Sequence, residues 1–280
     1  MRGKVCVITG ASAGIGLAAA EAIGAMGGRL VLVGRSPERG EAALAKLRAT
    51  VPGVDAQFHY ADLSVLAEMH RLGRELAAAE PRVDVLINNA GLMIFDRRET
   101  PDTLERMFAV NHMAYFVVTQ HLLDSLRAAA PARIVNVASV AHRRGTLDFD
   151  DLQLTRSFDG RNAYGRSKLA NILFTRELAR RLAGTGITAN CLHPGFINSH
   201  IGEDNRWPLK LIVRLVKWVG GKTPQQGAET IVHLATSPAV AGVTGKYFVD
   251  KAEAEISLAA QDDATARRLW EESERIADVE

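Results

Sequence analysis

Seven short apolar runs, separated by longer amphipathic stretches, leave this 280-residue chain few folds to choose from. The runs lie near residues 5–8, 30–33, 56–59, 83–87, 133–137, 187–192 and 246–249, and most are rich in Val, Ile and Leu. Such runs read as buried strands, and the stretches between them carry helical periodicity. The helical stretches fall near 15–26, 38–49, 65–79, 104–128, 163–182 and 226–235. In the fifth of these, Leu169, Ile172, Leu173 and Leu178 recur on one helical face. Strands that alternate with helices return in parallel, so the expected class is α/β. No repeat or low-complexity linker divides the chain, and a single domain is expected.

Composition narrows the partners. Hydrophobic residues make up 47% and charged residues 24%, an ordinary globular balance. The formal charge of +2 is spread along the chain, which does not indicate a nucleic-acid partner. Cys6 and Cys191 lie inside strand-like runs and read as buried free thiols. The first strand begins almost at Met1, and no apolar run reaches the ~18 residues of a spanning helix. A cytoplasmic protein without stable membrane insertion and without a bound metal is therefore expected.

The first strand runs into Thr9-Gly10-Ala11-Ser12-Ala13-Gly14-Ile15-Gly16. Glycines at a strand-to-helix turn let the backbone approach a pyrophosphate, which the free N–H groups of the helix start then hold. With this turn in place, the expected architecture is a Rossmann-type doubly wound parallel sheet of about seven strands with helices on both faces. The second strand ends at Gly34-Arg35. That tip reads the adenosine ribose, an acid binding a free 2′-hydroxyl and a cation binding a 2′-phosphate. Gly34 has no carboxylate, and Arg35 has a planar fork suited to phosphate. A solvated strand-end arginine is the plain alternative, and the preceding turn favours phosphate. Further on, Tyr164 and Lys168 stand four apart, one helical turn on one face. An ammonium beside a phenol favours the phenolate, which suits proton transfer.

Ser139 follows the fifth strand, Asn88-Asn89-Ala90-Gly91 ends the fourth, Asn111 lies in the helix after it, and Pro194-Gly195 ends the sixth. In this order, and with the Gly-x3-Gly-x-Gly spacing of the first turn, these residues resemble the short-chain dehydrogenase/reductase family over nearly the whole chain. Arg35-Ser36-Pro37-Glu38, Asp148-Phe149-Asp150-Asp151-Leu152 and Gly245-Lys246-Tyr247-Phe248 look like its retinol dehydrogenase-like branch. The resemblance implies a catalytic set of Asn111, Ser139, Tyr164 and Lys168. Tyr164 would protonate the carbonyl oxygen and Ser139 hydrogen-bond it. Lys168 would hold the nicotinamide ribose, and Asn111 would anchor a relay water. It also implies NADP(H) held by Gly10, Ser12, Ala13, Gly14, Ile15, Gly16, Arg35, Asp62, Leu63, Asn89, Ala90 and Gly91, with Pro194, Gly195, Ile197 and Ser199 beyond the sixth strand. Ala13 stands where many NADP-using relatives carry Arg or Lys, and Ser199 where a threonine is usual.

Two polar stretches, 139–162 and 195–223, follow the carboxyl ends of strands and read as walls of a substrate pocket. Within the second, Lys210, Arg214 and Lys217 share one helical face, which fits a substrate lid or a membrane-surface helix. His112, His142 and His193 read as hydrogen-bonded structural residues. The expected function is an NADP(H)-dependent oxidoreductase acting on a small, lipophilic carbonyl or alcohol. A non-catalytic NADP(H)-binding regulator is the alternative. By the same resemblance a homo-oligomer would pair through the two long helices near 104–128 and 163–182.

Overall fold

A computed structural model describes residues 1–197 and 221–278. β1 (Val5–Thr9) leads into α1 (Gly14–Ala25), β2 (Arg29–Gly34) into α2 (Pro37–Thr50), and β3 (Ala56–Tyr60) into α3 (Leu66–Ala79). β4 (Val85–Asn88) is followed by α4 (Arg106–Phe108), one π turn (Ala109–Met113) and α5 (Ala114–Ala129). After β5 (Ala132–Val137) come two 3₁₀ turns, Val140–Arg144 and Phe149–Asp151, and then α6 (Gly160–Arg181). β6 (Ile187–His193) precedes α7 (Pro224–Thr236), β7 (Tyr247–Val249) and β8 (Ala252–Glu253). α8 (Leu258–Gln261) and α9 (Asp263–Ala277) end the described chain.

All eight strands join one sheet in the order β3-β2-β1-β4-β5-β6-β7-β8. β1 to β7 are parallel, and the two-residue β8 adds an antiparallel edge that the sequence reading did not include. The order reverses at β1: the chain winds outward to β3, then returns to place β4 on the other side of β1. A parallel sheet that reverses in this way opens a crevice at the carboxyl ends of its strands, between β1 and β4. Apolar side chains pack on both faces, one layer under α1 and α7 and the other under α3, α5 and α6.

Local chemistry marks the helix starts. Ser36 caps α2 with Pro37 in its first turn, Asp159 caps α6, Thr223 and Gln226 form a capping box on α7, and Asp262 caps α9. Under the crevice, a buried polar chain ties strands to helices. Asn88 donates to Asn136 (2.9 Å) and Thr119 (3.0 Å), and Asn136 donates to Thr175 (2.9 Å). Each of these amides sits in the dry interior, where an unmatched donor would be costly.

α9 extends the fold beyond the elements read from sequence. Ala266, Leu269, Trp270, Ser273 and Ala277 form its buried stripe. Trp270 packs against Phe116 of α5 (ring centroids 5.0 Å apart) and Phe174 of α6 (5.8 Å), with the Arg181 guanidinium 4.3 Å from its ring. Part of the surface of the two long helices is thus covered by the chain's own C-terminal helix. No described helix is long and apolar enough to cross a membrane.

Candidate active site

The glycine turn is built by close backbone approach. Thr9 Oγ1 accepts from the backbone N–H groups of Asn89 (3.0 Å) and Ala90 (3.1 Å). Asn89 Nδ2 donates in return to the carbonyls of Thr9 (2.9 Å) and Gly10 (3.1 Å). A Cβ on Gly10 would lie 2.7 Å from Ala90 Cα, and one on Gly16 would lie 2.5 Å from both Asn89 Nδ2 and the Gly10 carbonyl oxygen. Only glycine fits at either position. Asn89, expected beside the adenosine, spends its Nδ2 group on the shape of the turn, and its buried Oδ1 has no partner among the described residues. Unlike α2, α6, α7 and α9, α1 has no side-chain cap, and its first turn has no acidic residue. Its leading N–H groups face the crevice as donors for an anion.

At the tip of β2, packing excludes an acid. A Cβ on Gly34 would stand 2.9 Å from the Phe58 ring, so no carboxylate side chain fits without moving that ring. Arg35 is exposed and has no ion pair or hydrogen bond among the described residues. The same holds for the side chain of Arg39, in the first turn of α2, a second cation not among the residues expected from sequence. Its signal was the four-residue spacing from Arg35. Asp62 accepts from the Ser64 N–H (3.0 Å) and hydroxyl (2.7 Å) through Oδ1, and Leu63 beside it is buried.

Beyond β5 and β4 the remaining residues converge. Ser139, the N-cap of the first 3₁₀ turn, accepts at Oγ from the Ala141 N–H (3.2 Å), and its hydroxyl is close enough to Tyr164 to lower the phenol's pKa. Two glycines set that approach. A Cβ on Gly145 would lie 2.4 Å from the Gly165 carbonyl oxygen, and one on Gly165 would lie 2.9 Å from that of Ala141. The turn carrying Ser139 thus rests directly on the backbone of the helix carrying Tyr164. Neither glycine figured among the sequence candidates, because the contact joins segments whose pairing spacing does not reveal.

Lys168, one turn after Tyr164, is buried and donates from Nζ to the Val137 carbonyl (2.8 Å). Its ammonium lies 5.8 Å from the ring centroids of Tyr164 and Tyr115. Burial pushes Tyr164 up to about 12, with the Ser139 hydroxyl pulling it down, and burial brings Lys168 down to about 7. An ammonium beside a phenol favours the phenolate. Here desolvation outweighs that attraction, since Nζ is directed at a carbonyl instead of the phenol oxygen.

Asn111 sits in the π turn, a distortion that recurs at functional sites. Its Oδ1 accepts from the Leu92 N–H (2.8 Å), and its Nδ2 donates to the Leu92 carbonyl (3.0 Å) and to Ser167 Oγ (2.9 Å). Ser167 Oγ in turn donates to the Tyr164 carbonyl (2.8 Å). The amide is fully engaged in holding the 91–92 segment against the tyrosine helix. A Cβ on Gly91 would lie 3.3 Å from Asn111 Oδ1 and 3.6 Å from Lys168 Nζ, so this glycine borders both. After β6, Gly195 turns the chain at φ +92° past Pro194, and Ile197 bridges to Lys222. Ser199 and most of the expected 195–223 lid lie outside the described residues, as does the basic 209–219 stretch. Among the described residues no cluster of three His, Cys, Asp or Glu side chains could hold a metal ion.

A reversed parallel sheet, a glycine turn at its crevice, and a tyrosine and lysine one turn apart facing a serine define the class: a Rossmann-type oxidoreductase. A family model described as short chain dehydrogenase matches residues 4–208. Retinol dehydrogenase 14 of Homo sapiens is 42% identical over 289 residues, which cover 98% of this chain and 86% of that protein. Retinol dehydrogenase 12 of Mus musculus is 41% identical over 268 residues, covering 96% and 84%. Among solved structures, a putative uncharacterized protein from Mycobacterium Paratuberculosis superposes with a TM-score of 0.80 at 27% identity, over 100% of this chain and 95% of that one. The Pseudomonas aeruginosa RhlG/NADP active-site complex does so with a TM-score of 0.69 at 30% identity, over 89% and 94%. The chain belongs to the short-chain dehydrogenase family, in its retinol dehydrogenase-like branch, and is an oxidoreductase of alcohols or carbonyls.

Proposed function

We propose that this protein is an NADP(H)-dependent alcohol dehydrogenase/carbonyl reductase acting on a lipophilic substrate, with Tyr164 as its acid–base residue. The observation that carries the reading is the backbone contact that seats the Ser139 turn on the Tyr164 helix, with Lys168 one turn away and its ammonium 5.8 Å from the Tyr164 ring. A purely binding protein has no need of that arrangement, which disfavours the regulator. The cradle fits a dinucleotide: Gly10 and Gly16 leave no room for a Cβ, and the uncapped start of α1 offers N–H donors. Gly10, Ser12, Ala13, Gly14, Ile15 and Gly16 would hold the pyrophosphate, and Asp62, Leu63, Asn89, Ala90 and Gly91 the adenosine side. Pro194, Gly195, Ile197 and Ser199 would border the nicotinamide. Arg35, with help from Arg39, favours a 2′-phosphate, and the excluded acid at Gly34 removes the competitor for a free hydroxyl. The nicotinamide, when bound, supplies or takes the hydride.

The chain's own residues then handle the proton and the geometry. Tyr164 gives its phenolic proton to the substrate oxygen in reduction and takes it back in oxidation. Ser139 Oγ already accepts from the Ala141 N–H, which leaves its O–H to donate to the same oxygen. Lys168 Nζ holds the ribose hydroxyls and, charged there, stabilises the phenolate that Tyr164 leaves behind. Both Asn111 Nδ2 protons are engaged, so it acts by position, holding residue 92 against the helix that carries Tyr164. The lipophilic preference rests on the relatives, which are named for retinol.

The test is NADPH oxidation over a panel of aldehydes and ketones that includes retinal-like polyenes, with alcohols assayed against NADP+. Tyr164→Phe keeps the ring and removes the oxygen, so turnover should fall by roughly 10²–10⁴ while NADPH affinity holds. Full turnover in Tyr164→Phe would overturn the mechanism. Tight NADPH binding with no wild-type turnover on the panel would favour the regulator.

A further inference from the structure

We infer that His142 is a positioning residue that couples the C-terminal arm of the chain, residues 252–277, to Ser139; the inference rests on the catalytic role proposed for that serine. His142 is fully buried in the 3₁₀ turn that Ser139 begins. Its Nδ1 lies 2.7 Å from the Ser139 carbonyl, and its Nε2 lies 3.2 Å from the backbone nitrogen of Ser257. A carbonyl only accepts and a backbone N–H only donates, so Nδ1 carries the proton and Nε2 is bare. The tautomer follows from the two partners, and a second proton would set Nε2–H against the Ser257 N–H.

The contacts around the ring form one unit. Tyr247 of β7 meets the imidazole edge-on at 5.1 Å, and Arg143 donates to the Glu255 carbonyl (2.8 Å). Residues 142 and 143 therefore grip residues 257 and 255 of the arm. The Ser139 carbonyl accepts from both the His142 backbone N–H (3.2 Å) and its imidazole, which sets the peptide plane from which Oγ reaches Tyr164. Burial and the charge of Arg143 lower the His142 pKa, against the pull of the Ser139 hydrogen bond; Tyr247 and His193 of β6 are the other titratable rings near it. The arm lies outside residues 4–208, the part matched by the family model. Placement of the serine thus depends on the bond His142 makes to a residue 115 positions further along the chain.

The experiment compares His142→Phe and His142→Asn with wild type for carbonyl reduction, NADPH affinity and hydrogen exchange, and reads the wild-type imidazole by nitrogen NMR. In His142→Phe, kcat should fall by about tenfold, the scale of a sub-ångström displacement of a reacting group, with NADPH affinity within twofold. Exchange should rise at both 139–145 and 252–261 and stay unchanged at 9–16. His142→Asn places an amide N–H near the Ser139 carbonyl and should recover most of kcat while exchange in the arm stays raised. Wild-type kcat in His142→Phe, a matching loss of NADPH affinity, or an Nε2–H tautomer would each overturn the inference. If wild type has no turnover, the proposed function fails by itself. The NMR tautomer and the paired rise in exchange then decide this coupling alone.

Discussion

Gly165→Ala sets two effects of opposite sign against each other. Replacing a helix-interior glycine by alanine ordinarily stabilises a helix by about 1 kcal/mol. At this position the new Cβ would stand 2.9 Å from the Ala141 carbonyl oxygen, 3.2 Å from Gly145 N and 3.4 Å from Gly145 Cα. Heavy atoms pack best near ~3.5 Å or beyond, so the turn must retreat by roughly 0.5 Å. Its neighbours here are backbone, which cannot swing aside as a side chain would. Overpacking of this kind costs about 1–3 kcal/mol, which offsets the helix gain and leaves a net loss of about 0–2 kcal/mol. The retreat carries Ser139 away from Tyr164. A 1 Å error in a reacting geometry costs about 10²-fold, so half of that should lower kcat by about tenfold. Urea unfolding and NADPH-dependent carbonyl reduction read the two effects separately. Gly145→Ala, whose Cβ meets the same interface at 2.4 Å, should be worse on both counts. A Gly165→Ala protein stabilised by a full 1 kcal/mol and as active as wild type would refute the reasoning.

Three further outcomes are expected. Arg35→Ala should raise the NADPH dissociation constant more than tenfold, since a hydrogen bond to a charged group contributes about 1.5–3 kcal/mol, and leave that of NADH nearly unchanged; equal losses in paired titrations would show that Arg35 serves the fold. His112 and His193 are held down to about 3 and about 4 by burial, whereas the unfolded chain titrates near 6.5. The unfolded state therefore binds protons first, so stability is fully present above about pH 6.5 and declines below it, by about 2 kcal/mol per histidine on reaching pH 5. Urea unfolding at pH 7.5 and pH 5.0 checks the sign, and flat stability would contradict it. Trp270→Ala should cost about 3–5 kcal/mol, because the buried ring fills the space between Phe116 and Phe174, and a loss below 1 kcal/mol in the same assay would show that α9 docks loosely.

Much of the fold and of the site could be read in advance because it is local chemistry. Strand period, helix caps, the glycine spacing of residues 9–16 and the one-turn interval from Tyr164 to Lys168 are set by neighbours a few residues apart. Helix α9 was legible as well, in the Ala266, Leu269, Trp270, Ser273 stripe, beyond the last helical stretch expected near 226–235. What tertiary structure alone decided are contacts between distant segments and their dielectric consequences. Asn89 reaches back 80 residues to shape the glycine turn, and Gly145 meets Gly165 backbone to backbone. Asn111 spends its amide on Leu92 and Ser167, and His142 reaches Ser257. Lys168 turns to the Val137 carbonyl, so burial governs its charge more than the phenol one turn away. Such pairings depend on which segments the sheet brings together and on how much water it removes, and neither quantity is written in the spacing of residues along a chain.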